Sequence, residues 1–261
     1  MAATALAHRL WEARITGDVV DAGEVVQPAT VEEAYALQRE ITQLSGHAVV
    51  GFKIGSTSIE AQRMLGTTEP GSAPLLAPYV FASPATCAIS ALHMPALEAE
   101  FAFQMARTLE PRAKPYTRDE VADAVGAVAG AIEVVGTRFK GGLAGKGRLL
   151  TTADGGVNIA LVSGRWHDAW RDLDLPSHPA KMIINGVVKG EGTGSRALGD
   201  PMNVLIWLVN QQSQLGRALP AGSIISTGTC TGLDSVLPGD RAVADFGKLG
   251  TVDITFTDMK A

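Results

Sequence analysis

The chain has 261 residues, a length that fits one large α/β or β-rich unit. Hydrophobic residues make up 46% of it and charged residues 19%, so it can fill an apolar core and does not have the composition of a disordered chain. It carries 22 basic and 27 acidic side chains, a net charge of −5, which argues against nucleic-acid binding through the phosphates.

Cysteine usage and hydropathy indicate the compartment. Cys87 and Cys230 are too far apart in the chain to form a ligand-spaced pair, and two cysteines make no disulfide framework, which suits a reducing cytoplasm. No apolar run approaches the roughly 18–20 residues that span a bilayer, and residues 1–12 lack the pattern of a signal peptide. We therefore expect a cytoplasmic globular protein that does not bind membranes.

The N-terminal part of the chain has a helical pattern. Thr30 precedes Glu33 by three positions, which is the capping box of a helix start. Apolar residues then recur at spacings of three and four, and residues 49–54 change to a short β-type run. We therefore divide the chain into an N-terminal helical region, residues 1–48, and a β-rich catalytic region, residues 49–261, which act together as one functional unit.

Strands dominate the β-rich region, with two helices inserted. Frequent Pro and Gly between residues 70 and 95 predict short strands and loops. A second capping box, Thr117 to Glu120, predicts a helix that continues through Val121, Val125 and Val128. Further predicted elements are strands at 97–105, 131–135, 223–226, 235–237, 241–244 and 251–256, a loop at 141–147 and a helix at 202–215.

Two carboxylates at alternate positions, Glu98 and Glu100, carry the strongest chemical signal. Alternate side chains of a strand point to the same side, roughly 6–7 Å apart along it, so both can reach one hard cation. Apolar neighbours make two unpaired charges costly there, and Glu133 is a third carboxylate inside an apolar run. Three carboxylates without His or Cys favour Mg²⁺ or Mn²⁺ over Zn²⁺. The alternative is a solvated strand face, with Glu133 paired to Arg138 or another base.

Lys53 and a hydroxyl-rich segment are further candidates. Lys53 lies between apolar residues and glycines, where burial would lower its pKa and let it transfer protons near neutrality. The alternative is an edge-strand lysine that prevents sheet-to-sheet pairing. Residues 223–232 end a strand in small hydroxyl residues and glycines, whose amides could hold a carboxylate or phosphate, or form an ordinary turn. Cys230 has no histidine nearby in the sequence and is expected to be a small packing residue.

In their order, these segments resemble the fumarylacetoacetate hydrolase superfamily. Within it, they resemble the branch of 2-hydroxypenta-2,4-dienoate (2-keto-4-pentenoate) hydratases and 4-oxalocrotonate decarboxylases. The resemblance runs from about residue 30 to the C-terminus. The matching stretches are residues 50–55 with Ser58, 64–66, 69–70, 97–103, 132–138, 153–154, 194–195, 198–203, 207–208 and 221–228.

This resemblance implies an α+β fold, a mixed β-roll with an N-terminal helical region, and a homo-oligomer that could associate with a pathway enzyme. It implies Mg²⁺ or Mn²⁺ on Glu98, Glu100 and Glu133, and a small 2-oxo or 2-hydroxy acid as substrate. Lys53 matches the family's catalytic lysine, which moves a proton between enol and ketone forms. The matched positions expected near the substrate are Gly55, Arg138, Asp154, Thr227 and Gly228.

The resemblance favours a metal-dependent hydro-lyase of aromatic meta-cleavage catabolism that adds water to a 2-hydroxy-2,4-dienoate. The alternatives are a 4-oxalocrotonate-type decarboxylase, an acylpyruvate C–C hydrolase, and a non-catalytic partner subunit. Hydrolysis commonly needs a His–Glu pair in the family, and no histidine lies beside a matching motif here. Two positions depart from the family pattern: Ala77-Pro78 stands where an acidic residue is usual, and Gly155 replaces the asparagine of Ala-Asp-Asn.

Overall fold

The computed structural model describes residues 2–259, with side chains from residue 5 onward. Its α-helices are α1 (Ala2–Thr16), α2 (Val31–Ser45), α3 (Ile59–Leu65), α4 (Arg118–Ala124), α5 (Gly147–Ala153) and α6 (Pro201–Gln214). Within the described residues, none of these helices has the length and apolar character needed to cross a membrane.

The strands form two mixed sheets, as the α+β prediction requires. They are β1 (Val49–Gly55), β2 (Gly71–Leu76), β3 (Val80–Ala82), β4 (Ala85–Ile89), β5 (Ala96–Met105), β6 (Val125–Val135), β7 (Asn158–Ser163), β8 (Pro179–Ile184), β9 (Val187–Thr193), β10 (Ile224–Ser226), β11 (Asp234–Ser235), β12 (Arg241–Asp245) and β13 (Thr251–Asp258). The larger sheet has the order β2-β1-β10-β5-β6-β7-β3, with β11 paired to β5. The smaller sheet has the order β4-β13-β12-β8-β9.

The main hydrophobic core lies between the two sheets. Phe101 and Phe103 of β5 are fully buried in the same cluster as Met182 of β8 and Ile254 of β13. Strands β5 and β6 are long and antiparallel, and they occupy the middle of the larger sheet. A side chain on their other face is therefore also removed from water, because neighbouring strands and helices cover it.

Helices α1 and α2 form a second, smaller core against the larger sheet's connections. The side chain of Thr30 accepts a hydrogen bond from the Glu33 amide, and Gly46 ends α2 in the left-handed conformation at φ 65°. Leu6, Leu10 and other apolar residues of the pair pack around Phe139 and Leu150. The apolar spacing thus correctly predicted α2.

Two sequence-based boundaries were wrong. Helix α4 ends at Ala124, and Val125 and Val128, which we assigned to it, belong to β6. Their spacing fits a helix, but burial between sheets and β-branched side chains favour the strand. The strand predicted at 235–237 is the two-residue bridge β11, Asp234–Ser235. Helices α3 and α5 have seven residues each, too few for a periodic signal.

Candidate active site

Three acidic side chains meet on one face of β5 and β6. Glu98 and Glu133 are directly opposite each other across the two strands, and Glu100 follows two positions along β5. One carboxylate oxygen from each lies within 4.8 Å of the others. Glu100 and Glu133 are fully buried, and Glu98 is half-buried. The solvated strand face considered above is therefore wrong.

Neighbouring polar groups orient two of these carboxylates. Oε2 of Glu100 accepts hydrogen bonds from the Ser226 hydroxyl and from the Gly228 amide, the latter at 2.9 Å. The side-chain amide of Asn158 donates to Oε1 of Glu133 at 2.8 Å. One oxygen of each of these two carboxylates is thus fixed by hydrogen bonds, which orients the whole group.

The remaining oxygens fit a divalent metal ion. Oε1 of Glu100 is buried and accepts no hydrogen bond. Oε2 of Glu133 also accepts none, although Lys53 Nζ lies 3.2 Å from it. Burial and the neighbouring Glu133 charge raise the pKa of Glu98 to about 7, and burial with both neighbours raises that of Glu100 well above its usual range. A hard cation with oxygen ligands would compensate these charges.

Lys53 is the single basic group in direct contact with the carboxylates among the described residues. Its Nζ forms the ion pair with Glu133 and donates to the Gly156 carbonyl at 3.0 Å. Strand β1 lies between β2 and β10, so the alternative of an edge-strand lysine is wrong. Burial lowers the pKa of Lys53, as we expected, but the charges of Glu133, Glu98 and Glu100 outweigh it and raise the pKa overall. A cation on those carboxylates would reduce this effect.

A cavity of about 130 Å³ opens beside Lys53 and Glu98. Its floor includes Gly55 and Gly71, which pair across β1 and β2. Apolar side chains form much of its wall: Ala61, Met64, Leu65, Val135, Leu143 and Leu233. Among the described residues that line it there is one further charged side chain, Arg148. The described residues that line the cavity include no histidine, so they provide no His–Glu pair for hydrolysis.

Arg138 and Asp154 do not line this cavity. They form a buried ion pair in which Arg138 Nε and Asp154 Oδ1 are 2.6 Å apart. Arg138 also donates to the carbonyls of Gly136 and Asn158. Both residues line a separate small cavity of about 30 Å³ with Arg14 of α1. Arg138 thereby contacts the backbone after β6 and at the start of β7. Glu133 is paired not with Arg138 but with another base, Lys53, which was the other alternative given above.

The loop after β10 holds a carboxylate of the protein itself. Gly228 directs its amide to Glu100, and its φ of 90° suits glycine. A Cβ there would lie 2.1 Å from the Thr57 hydroxyl oxygen. Thr227 is fully buried, and its hydroxyl donates to the Phe101 carbonyl. Of the positions expected near the substrate, Gly55 is the one that lines the larger cavity.

Sequence reasoning missed four residues that the structure places at the site. Gly156 holds Lys53, Asn158 holds Glu133, and Arg148 lines the cavity. Ser226, which holds Glu100, lay within the hydroxyl-rich segment but was not singled out. Asn158 interrupts an apolar run and could have been noticed, whereas Arg148 has no sequence signal. Cys230 is buried, and burial raises the pKa of its thiol, as expected for a packing residue.

Comparisons with known proteins find relatives over most of the chain. A family model described as fumarylacetoacetate (FAA) hydrolase C-terminal matches residues 51–257. The chain is 34% identical to a 2-keto-4-pentenoate hydratase of Paraburkholderia xenovorans, over 87% of this chain and 84% of the relative. It is 30% identical to a 2-oxo-hept-4-ene-1,7-dioate hydratase of Escherichia coli, over 97% of both chains.

A solved structure shares nearly the whole fold. It is the 4-oxalocrotonate decarboxylase from Pseudomonas putida G7, complexed with magnesium and adipate. The two folds superpose with a TM-score of 0.86 at 26% sequence identity, over 97% of each chain. The arrangement of mixed sheets with N-terminal helices is therefore also found in a solved structure.

Proposed function

The chain belongs to the fumarylacetoacetate hydrolase family, and from that premise we propose that it is a metal-dependent hydro-lyase that adds water to a 2-hydroxy-2,4-dienoate. The observation that carries the proposal is the meeting of three carboxylates and a buried lysine beside one cavity. The names of the hydratase relatives support the reaction type and its place in aromatic meta-cleavage catabolism.

In this proposal Glu98, Glu100 and Glu133 hold Mg²⁺ or Mn²⁺, and Mg²⁺ is the ion named for the similar decarboxylase structure. A divalent ion there would polarise the oxygens of a bound 2-oxo acid and offset the negative charge that develops on them. Ser226 and Asn158 keep the side chains of Glu100 and Glu133 oriented before the ion binds. These side chains therefore lose less conformational entropy when the ion binds.

Lys53 is the proposed catalytic residue. Its Nζ is the proton-carrying group beside the cluster, and the Gly156 carbonyl fixes its position. We assign to it the transfer of a proton between the enol and ketone forms of the substrate. Gly55 borders the substrate, while Arg138, Asp154, Thr227 and Gly228 act as positioning residues through the backbone and through Glu100.

Decarboxylation is the second candidate, because the similar solved structure is a decarboxylase. It would use the same carboxylates and lysine and differ in the bond that breaks. C–C hydrolysis lacks a histidine among the described cavity residues. A non-catalytic partner subunit would not need a buried lysine and three carboxylates, whose burial costs stability.

The proposal is tested by incubating the purified protein with Mg²⁺ or Mn²⁺ and 2-hydroxypenta-2,4-dienoate, and separately with 2-hydroxyhepta-2,4-dienedioate. We expect loss of the diene absorbance, with incorporation of one water, for at least one of the two dienoates. Glu133→Gln should lower kcat/KM at least a hundredfold, whereas Glu32→Gln, an exposed carboxylate of α2, should leave it unchanged. Release of carbon dioxide from 4-oxalocrotonate without hydration of either dienoate would favour the decarboxylase. Absence of any reaction with the two dienoates and with 4-oxalocrotonate would favour a partner subunit.

We also propose a homo-oligomer in a reducing, cytoplasmic location. Ile59 and Met64 of α3 expose large apolar side chains beside the cavity, a surface that a second copy could cover. Cys87 and Cys230 are free and buried, which suits a reducing compartment. Light scattering after gel filtration tests the oligomer, and a monomer at micromolar concentration would reject it.

A further inference from the structure

Arg148 is a buried cation of the cavity without a carboxylate partner. It is 9% exposed and lines the same cavity as Lys53 and Glu98. Among the residues that the structure describes, no acidic side chain forms an ion pair with it, whereas Arg138 is paired with Asp154. A buried charge that lacks an opposite charge is costly, so an anion at this point would be favoured.

The guanidinium of Arg148 still has donors to offer. Nη1 donates to the Glu69 carbonyl at 3.2 Å and Nη2 to the Pro70 carbonyl at 2.7 Å. Its Nε is buried and has no hydrogen-bond partner. A guanidinium carries five N–H donors in a planar fork that matches a carboxylate. The two bonds to the backbone therefore fix its position and leave other N–H donors available for a ligand.

Arg148 and Lys53 lie over the same face of the β1–β2 pair. Gly55 and Gly71 are directly opposite each other in that pair. A Cβ on Gly55 would be 3.4 Å from Lys53 Nζ, and one on Gly71 would be 2.8 Å from Arg148 Cζ. Because directly opposite Cβ positions are about 5 Å apart, the two cationic groups are at most about 12 Å apart. The two glycines leave the floor between them free of side chains.

The cavity lining therefore combines three charged side chains with an apolar wall. Lys53 and Glu98, a member of the carboxylate cluster, line it together with Arg148 and the hydroxyl residues Thr151 and Thr152. Apolar side chains such as Leu65 and Val135 form part of the same lining. A substrate with an uncharged chain end would leave Arg148 buried without a charge partner, whereas an anionic end would pair with it.

We propose that the substrates of this site are dicarboxylic, and that Arg148 binds the carboxylate at the chain end remote from the 2-oxo or 2-hydroxy group. Arg148 is then a specificity-determining residue. This inference rests on the proposed function for the orientation of the substrate, with its 2-oxo end at the carboxylate cluster. The relatives include a hydratase of a monocarboxylic acid and a hydratase of a dicarboxylic acid, and the inference favours the dicarboxylic class for this chain.

The test compares two ligands of equal chain length, 2-oxoadipate and 2-oxohexanoate, by calorimetric titration of the Mg²⁺-loaded protein. Wild type should bind 2-oxoadipate about tenfold to a hundredfold more tightly, the range expected for charge-assisted hydrogen bonds. Arg148→Gln should reduce that preference at least tenfold, and Arg148→Lys should retain part of it. Arg63→Gln removes an exposed charge from the adjacent α3, outside the cavity lining, and should retain the wild-type preference.

A purely structural role for Arg148, through the Glu69 and Pro70 carbonyls, would weaken both ligands alike and keep their ratio, which would overturn the inference. Equal affinity of wild type for the two ligands, or binding of neither, would overturn it as well. Failure of the proposed function is distinguishable. If 2-oxoadipate is preferred through Arg148 while neither dienoate is hydrated, the hydratase proposal fails and the dicarboxylate inference stands.

Discussion

At the residue scale, the two oxygens of Glu100 have unlike surroundings. Oε2 is fixed by Ser226 and Gly228, while Oε1 has no partner in the described structure. Such one-sided support holds a carboxylate ready for a cation and keeps it from turning away. The position of Gly228 allows no side chain, because Thr57 occupies the space of its Cβ. The loop that the sequence suggested for an external anion thus positions an internal one.

His93 gives a prediction for pH dependence at this scale. It is buried, and one ring nitrogen lies 2.8 Å from the Asp18 carbonyl. Burial and the Arg138 charge lower its pKa, so the folded chain holds it neutral. An unfolded histidine takes up a proton near pH 6.5, and therefore the free energy of unfolding should fall as pH drops from about 6.5 to the lowered pKa. Urea unfolding between pH 5 and 8 measures this loss.

The matched variant for this prediction is His93→Gln, which removes the titrating ring and keeps a side-chain N–H donor. Its free energy of unfolding should depend less on pH below about 6.5 than that of wild type. Equal pH dependence of the two proteins would show that His93 does not contribute to it.

Part of the site could be predicted from single residues, and part could not. The alternation of Glu98 and Glu100 is a local property of a strand, so their common face was predictable. The contact between Lys53 and Glu133 was not predictable, because pairing of β1 with β10 and of β5 with β6 joins segments far apart in the chain. Arg148 comes from a short helix after a glycine-rich loop, where no periodic pattern precedes it.

At the element scale, β6 shows how sheet packing sets local structure. Gly130 of this strand faces the ring of Phe246, which follows β12 of the smaller sheet. A Cβ on Gly130 would lie 2.2 Å from Phe246 Cδ2. The two sheets therefore approach closely at a point where one has no side chain. The same packing explains why Val125 and Val128 extend β6 and not α4, since long-range burial outweighs helical spacing.

Gly130→Ala tests this close approach. The added methyl group should overpack the core and lower the free energy of unfolding by about 1–3 kcal/mol in urea titration. Combining it with Phe246→Leu should make the two effects less than additive, because the smaller side chain leaves room for the methyl group. A single variant as stable as wild type, or full additivity in the pair, would contradict the packing described.

At the scale of the whole molecule, the N-terminal helices are linked to the site. Arg14 of α1 donates to the Asn158 carbonyl at 2.5 Å and to the Ile159 carbonyl at 2.9 Å. The side chain of Asn158 in turn holds Glu133. The helical region thus contacts, through Arg14, the strand residue that holds Glu133. This contact supports our proposal that residues 1–48 and 49–261 act as one unit.

The carboxylate cluster is likewise a property of the assembled fold. Its members come from two strands, and the groups that orient them come from β7, β10 and the loop after β10. In the unfolded chain Glu133 is far from Glu98 and Glu100, so a divalent ion should bind mainly to the folded protein. Glu100→Gln keeps an acceptor for Ser226 and Gly228 but removes a buried charge, which makes it a suitable variant for separating ion binding from folding.

The most direct measurement is a calorimetric titration of Mn²⁺ into the purified chain, with circular dichroism to verify the fold of each variant. Wild type should bind one ion per chain, and Glu98→Gln, Glu100→Gln and Glu133→Gln should each weaken binding at least tenfold while remaining folded. Glu32→Gln should bind as wild type does. Unchanged Mn²⁺ affinity in all three cluster variants, or no binding by wild type, would contradict a metal centre built from these carboxylates.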